Sequence, residues 1–544
     1  MRVVRLVSTA PLLRTYSFLA AEANVVARSS AMTSLPPQRA PAYTPEDTHA
    51  DRLADADKAA AERWESTTNR MWYPSYHLAP YTGWMNDPTG LVYFRDHYHV
   101  FYQYHPYSAE WGPMHWGHMT SKDLVHWQHE KTALAPGDAC DRDGCFSGTS
   151  VSHEGKLYLF YTGHFVLDAA TASNPDAIFE QQCIAVSSDG INFEKLGPVV
   201  RPPPGYVHFR DPKVWQQDGR WWMVCGARDV AKDLGQLILH TTADLLHWDE
   251  TRWQVLGATD DKNVFMWECP DYFSIGSRED LKLLLFCPQG KKGSGYDYRN
   301  RFQNGYAVGQ WMPGGSWTAQ REFREIDRGH DFYAAQTFLA ADGQRRLVMA
   351  WCNMWESPMP TREHGWSGCL TLPRELNYVE STGQLRMVPA RELVALRASE
   401  VMIVAPLVVG DNSDAQILDD CTSYELDITF NAQTSTSEKY GLWLGSGAEL
   451  YVDAQSNRLV LNRHYPRHML SGYRSCEMPT SVLLQLHVFV DRSSIEVFVN
   501  DGEATFSTRV FPDDGDRALR VFSINGTADM VGGNMWKLKA TVKH

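Results

Sequence analysis

From Tyr76 to about Leu396 the chain alternates short aromatic and β-branched runs with Gly, Asp and Asn, and helical periodicity is scarce. That pattern predicts antiparallel sheets. Five runs look alike, at 99–104 (HVFYQY), 156–161 (KLYLFY), 220–225 (RWWMVC), 282–287 (KLLLFC) and 345–350 (RRLVMA). They recur roughly every 60 residues, the scale of a four-stranded propeller blade with generous loops. A second echo, at 121–127 (SKDLVHW), 187–193 (SSDGINF) and 242–248 (TADLLHW), keeps the same period. Five repeats predict five blades. Beyond Leu396 the repeat stops, and alternating strands such as 486–491 and 494–499, with a turn at Asn500, Asp501 and Gly502, predict a β-sandwich. Upstream, residues 33–43 read as a Pro/Ala tether. Thr44, Pro45, Glu46 and Asp47 then supply a capping hydroxyl, proline at N1 and first-turn acids for a helix running to about Ser66. The expected fold is all-β: a disordered extension (1–43), a short N-terminal helix (44–70), a five-bladed propeller (71–396) and a C-terminal β-sandwich (405–544).

At 544 residues the chain has room for two folded units. Its formal charge of -14 argues against a nucleic-acid partner, because phosphate binding needs a basic face. Nineteen tryptophans are mostly core residues, yet they leave some for stacking on sugar rings. Ten cysteines are too few for a disulfide scaffold; Cys140 and Cys145 are close enough to bridge, and the rest show no pairing or metal spacing. Reduced thiols fit a cytoplasmic protein. The basic, mildly apolar residues 1–31 do not read as a signal peptide, since Arg14 interrupts the apolar stretch; translation from Met32 is the alternative start. No apolar run reaches membrane-spanning length. Oligomerisation of identical chains through the sandwich stays open.

Three acids stand in specific settings: Asp87 in Trp84-Met85-Asn86-Asp87-Pro88, Asp211 in Phe209-Arg210-Asp211-Pro212, and Glu268 in Trp267-Glu268-Cys269-Pro270. Any one alone reads as a turn or cap residue. In a propeller the innermost strands line a central channel, so acids from three blades can converge there. Sugar cleavage needs such a set, one carboxylate to attack the anomeric carbon and a protonated partner to serve the departing oxygen. Asp138, Asp141, Asp143 and Gly144 superficially look like a calcium loop but lack its ligand spacing and terminal Glu, so no metal and no cofactor is expected. His115, His118, His126 and His129 form a local cluster whose aromatic strand context reads as packing or a substrate rim rather than metal ligation.

These motifs, with Phe146-Ser147-Gly148 as a fourth, resemble those of glycosidase family 32, the invertases and fructanases, over a stretch from about Tyr76 through the sandwich. The resemblance implies a retaining double displacement on β-fructofuranosides such as sucrose and short fructo-oligosaccharides. It implies Asp87 as nucleophile, Glu268 as acid/base and Asp211 as the residue holding fructosyl hydroxyls. Asn86, Gln103, Trp111, Phe146 and Ser147 match substrate-binding positions; for Gln103 and Ser147 an ordinary strand hydrogen bond is nearly as good a reading. Arg210 would orient Asp211, Trp84, Tyr333 and Trp351 are rim or pocket candidates, and Cys269 would adjust Glu268. One departure is Thr89, where the family usually has Asn, with consequences expected for water use or donor preference. A fructosyltransferase, a sucrose 6-phosphate hydrolase and a non-catalytic sugar-binding propeller are the alternatives.

Overall fold

The computed structural model describes residues 2–4, 46–67, 69–167, 174–274, 281–311 and 315–543. Each of the five apolar runs falls in the second strand of an antiparallel blade: His97–His105, Lys156–Val166, Arg220–Asp229, Lys282–Gln289 and Arg346–Trp351. Their continuous apolarity follows from burial on both faces. In the fourth blade Leu283 and Leu285 pack toward Val348 and Ala350 of the fifth, whereas Leu284 and Phe286 pack toward Val224 and Leu237 of the third. The same division gives every neighbouring pair of blades its own apolar core. The second echo is the turn between third and fourth strands. Asp123, Asp189 and Asp244 there accept backbone N–H groups two or three residues ahead, which fixes the turn.

The first strands, Gly83–Phe94, Gly144–His153, Tyr206–Gln217, Met266–Ser274 and Tyr333–Leu339, lie side by side around the channel, the last returning against the first. Each of them breaks register with its second strand at its pocket end: between Met85 and Pro88, Phe146 and Gly148, Arg210 and Lys213, Glu268 and Asp271, and Tyr333 and Gln336. Such bulges re-aim side chains. Asp211, Cys269 and Ala334 take positive φ there, at 61°, 50° and 53°.

The sandwich consists of an eight-stranded and a six-stranded sheet with one shared core. Phe489 and Phe498 of its larger sheet pack instead into the core between the fifth and first blades. Residues 2–4, within the extension expected to be disordered, form a strand parallel to 402–404; the rest of 1–43 lies outside the described residues. The helix spans His49–Ser66 and starts later than Thr44 and Pro45 suggest, because Thr48 and Asp51 form a reciprocal capping box. Its buried Arg52 donates to Asp138, and Asp57 accepts from Thr132, laying the helix against the loop between the first two blades.

Buried charges join the two domains. Arg374 of the fifth blade donates to Glu496 of the sandwich at 2.7 Å and to Asp327 at 2.9 Å. His77 sits between Asp491 and Glu496, 2.9 Å from each. Against the downward push of burial, these carboxylates raise His77 to about 10. Its contribution to stability is therefore fully present below pH ~6.5, the unfolded value, and is lost as pH rises through about 10. His77→Ala leaves two buried carboxylates short of a partner and is expected to destabilise the fold by about 3–5 kcal/mol at pH 6, read by chemical denaturation.

Candidate active site

The three acids arrive from the bulged first strands of blades one, three and four. Asp87 Oδ2 accepts the Ser147 hydroxyl at 2.9 Å, and its Oδ1 accepts the Asn86 amide at 3.1 Å. Trp84 holds Asn86 in turn, its indole N–H donating to Asn86 Oδ1 at 2.8 Å. Asp211 Oδ2 accepts the Cys269 backbone N–H at 2.8 Å, and the Cys269 Sγ lies 3.7 Å from Asp87 Oδ2. Cys269 thus touches both aspartates and directly follows Glu268, which draws all three acids into one pit.

Glu268 is held on both oxygens. Arg210 Nη2 donates to Oε1 at 2.5 Å; the Tyr333 hydroxyl donates to Oε2 at 2.5 Å, joined there by the Gln289 amide. Arg210 also reaches Glu180 Oε2 at 3.3 Å and His208 Nδ1 at 3.0 Å. Glu180 is completed by His164, whose ring stacks on Phe146 with centroids 4.1 Å apart.

Burial raises Asp87 to about 6, with the Glu268 charge adding and the Asn86 and Ser147 bonds opposing. Burial likewise raises Asp211 to about 7, Glu268 and Asp87 adding and Arg210 opposing. The Cys287 contact, then burial and the two aspartates, push the Cys269 thiol well up, so it stays protonated and can donate to Asp87. Burial therefore leaves both aspartates easier to protonate than free carboxyls.

A model of the Glycosyl hydrolases family 32 N-terminal domain matches residues 77–389, and the family 32 C terminal model matches 392–537. The chain belongs to glycosyl hydrolase family 32. It is a glycoside hydrolase. The Sucrose-6-phosphate hydrolase of Escherichia coli is 49% identical over 487 residues, 90% of this chain and 99% of that one. The Raffinose invertase of Escherichia coli is 49% identical over 482 residues, 88% and 98% of the two chains. The structure of a Bombyx mori GH32 beta-fructofuranosidase mutant in complex with sucrose aligns with a TM-score of 0.78 at 31% identity, covering 90% of this chain and 99% of that one.

Within this family 32 site, Ser147 faces Asp87 rather than making only a strand bond, whereas the Gln103 amide donates to the Cys145 carbonyl. Gly148 must be glycine, since a Cβ would come within 1.9 Å of the Phe160 carbonyl oxygen. Trp111 is 37% exposed at the mouth, edge-on to Phe146. Trp84 and Trp351 are buried beneath the pocket rather than on its rim, packed with Trp355, and Tyr333 is a buried partner of Glu268. Cys269, expected to adjust the adjacent Glu268, contacts Asp87 and Asp211. Thr89 does not reach the site: its buried hydroxyl donates to the Gly148 carbonyl and accepts the Gly148 N–H.

Glu180, His164, His208 and Gln289 complete the site without any motif to announce them. The calcium-like acids are engaged elsewhere. Asp138 and Asp141 hold Lys195, and Asp143 accepts from Arg142 and the Val166 N–H. His118 stacks on Phe101, and His126 pairs with Asp123. All ten cysteines are unpaired, Cys140 and Cys145 included.

A raised carboxyl reverses the usual sign of acid stability. The native state holds the Asp87 proton more tightly than the unfolded chain, so stability falls as pH rises from 3.8 to about 6. Above that range the ionised group costs about 3 kcal/mol. Asp87→Asn is therefore expected to raise the melting temperature by a few degrees at pH 7.5, a gain that disappears below pH ~4.

Proposed function

We propose that this glycoside hydrolase is a retaining β-fructofuranosidase, cleaving the terminal β-D-fructofuranoside bond of sucrose and short fructo-oligosaccharides. Ionised Asp87 attacks the anomeric carbon while protonated Glu268 gives its proton to the glycosidic oxygen, and the leaving sugar departs. Water then adds to the fructosyl-enzyme ester as Glu268 takes the proton back, freeing Asp87 and fructose. Asp211 holds fructosyl hydroxyls without forming a bond to carbon. The observation that carries this reading is the junction at Cys269, whose thiol lies 3.7 Å from Asp87 and whose N–H bonds Asp211, one residue beyond Glu268.

An uncharged leaving sugar is favoured because the arginines adjoining Phe302, Trp84 and the Asp176–His208 pair are already matched by acids. Arg301 is bound by Glu356, Arg362 by Glu110, and Arg228 by Asp176 and Asp233. The name of the Escherichia coli sucrose-6-phosphate hydrolase supports the phosphorylated alternative, and the sucrose complex of the Bombyx mori enzyme supports the neutral one. A cytoplasmic setting is in keeping with the ten unpaired cysteines. Among the described residues no helix is long and apolar enough to cross a membrane.

The test is a product profile on sucrose, sucrose 6-phosphate, kestose and inulin, with the first-formed fructose anomer read by NMR. Sucrose is expected to be cleaved with retention and at a higher kcat/KM than its phosphate; inverted product would remove Asp87 as nucleophile. Asp87→Asn and Glu268→Gln should each lose roughly a hundredfold or more in kcat with the fold intact. Because Asp87 must be ionised to attack, kcat/KM should fall as pH drops through about 6.

A further inference from the structure

Glu268 faces a cation that works against its task. A guanidinium bound to a carboxylate favours the ionised form, yet an acid catalyst has to arrive at the leaving oxygen with its proton. Arg210 is not given over to Glu268 alone. One of its terminal nitrogens serves Glu268, and the other serves Glu180 and His208. Glu180 enters from the third strand of the second blade, Ile178–Ser187, and is 3% exposed. Both of its oxygens are engaged, Oε1 with His164 at 3.2 Å and Oε2 with Arg210 at 3.3 Å.

We propose that Glu180 is a positioning residue for the acid/base: by sharing the Arg210 guanidinium it keeps that cation from fixing Glu268 as a carboxylate. The proposal rests on the reading of Glu268 as the group that protonates the leaving oxygen. The surrounding groups fit the division of labour. Arg210 and His164 hold Glu180 at about 2 against the upward push of burial, so Glu180 is the partner that stays ionised. On Glu268 the other facing groups are the Tyr333 hydroxyl and the Gln289 amide, both neutral donors, with Asp87, Asp211 and Cys287 as the nearby titratable groups. His208 is turned to Asp176 through its other nitrogen, and Asp176 is itself paired with Arg228. The Glu180 charge is thus the one carboxylate, besides Glu268, in direct contact with the Arg210 side chain among the described residues.

The experiment is the pH profile of kcat/KM on sucrose for wild type, Glu180→Gln and Glu180→Asp. In Glu180→Gln the alkaline limb should move down by roughly one pH unit while the acid limb stays in place. Glu180→Asp keeps the charge and should keep most of the wild-type limb. The Glu180→Gln loss should also be larger on sucrose than on β-fructofuranosyl fluoride, whose leaving group departs without a proton. An alkaline limb superposing on wild type overturns the proposal, whatever happens to the overall rate. Should Glu180→Gln fail to fold, Glu180→Ser carries the same expectation, and loss of folding in both overturns the positioning role in favour of a purely structural one. Absence of fructose release by wild type counts against the fructosidase reading; an unshifted limb in an active variant counts against Glu180 alone.

Discussion

Three carboxylates held in one pit with a single guanidinium among them set the terms for everything around them. At an effective dielectric of about 20, two like charges 4 Å apart repel by about 4 kcal/mol, so the site opposes the folding that builds it. The bulged first strands bring the acids together in spite of this, and positive φ at Asp211 and Cys269 is part of the geometry. Neutral donors then take up the oxygens: Ser147 and Asn86 on Asp87, the Cys269 N–H on Asp211, Tyr333 and Gln289 on Glu268. Burial first, with the neighbouring acid charges adding to it, shows in the raised affinity of Asp87 and Asp211 for protons. Stability has to come from elsewhere, and the separate apolar cores between blades supply it.

Those cores also explain which strands can be read from the sequence. A second strand buried on both faces must be continuously apolar, so KLLLFC and its counterparts stand out. The first strands mix Asp, Arg, Ser and Asn with turn-forming proline, and they look like loops until the bulge is seen. At the amino terminus two start signals compete within a few residues. Proline at position 45 suggests the earlier start, while Thr48 and Asp51, a hydroxyl and an acid at capping-box spacing, mark the one used. The strand at residues 2–4 is too short to leave any periodic signature.

In the site, the acids were legible because each sits in a compact run of unusual neighbours at the head of a repeat. Glu180, His164 and Gln289 were not, for each is a lone polar residue in an otherwise ordinary strand, meaningful only beside a residue from another blade. Thr89 shows the opposite failure. Alternation would put it on the face of Asp87, two residues earlier, but the register shift between Met85 and Pro88 interrupts that alternation. Its hydroxyl instead ties the first strand to Gly148 of the second blade, next to the serine that orients Asp87.

The sandwich carries no acid set of its own, yet it bears on the chemistry through the loop between the second and third strands of the fourth blade. Arg474 donates to Asn300 at 2.7 Å, and Arg299 donates to the Tyr473 hydroxyl at 2.9 Å. Two residues past Asn300, the Phe302 ring rests against Tyr333 with centroids 6.0 Å apart, and Tyr333 donates to Glu268. A wall of the pocket is therefore braced from outside the propeller. With Arg374 and His77 fixing the domains through buried charges, displacement of the sandwich would reach Glu268 by a short chain of contacts. An accessory domain of this kind needs no reacting group, because holding Tyr333 still beside Glu268 would itself contribute to the proposed reaction.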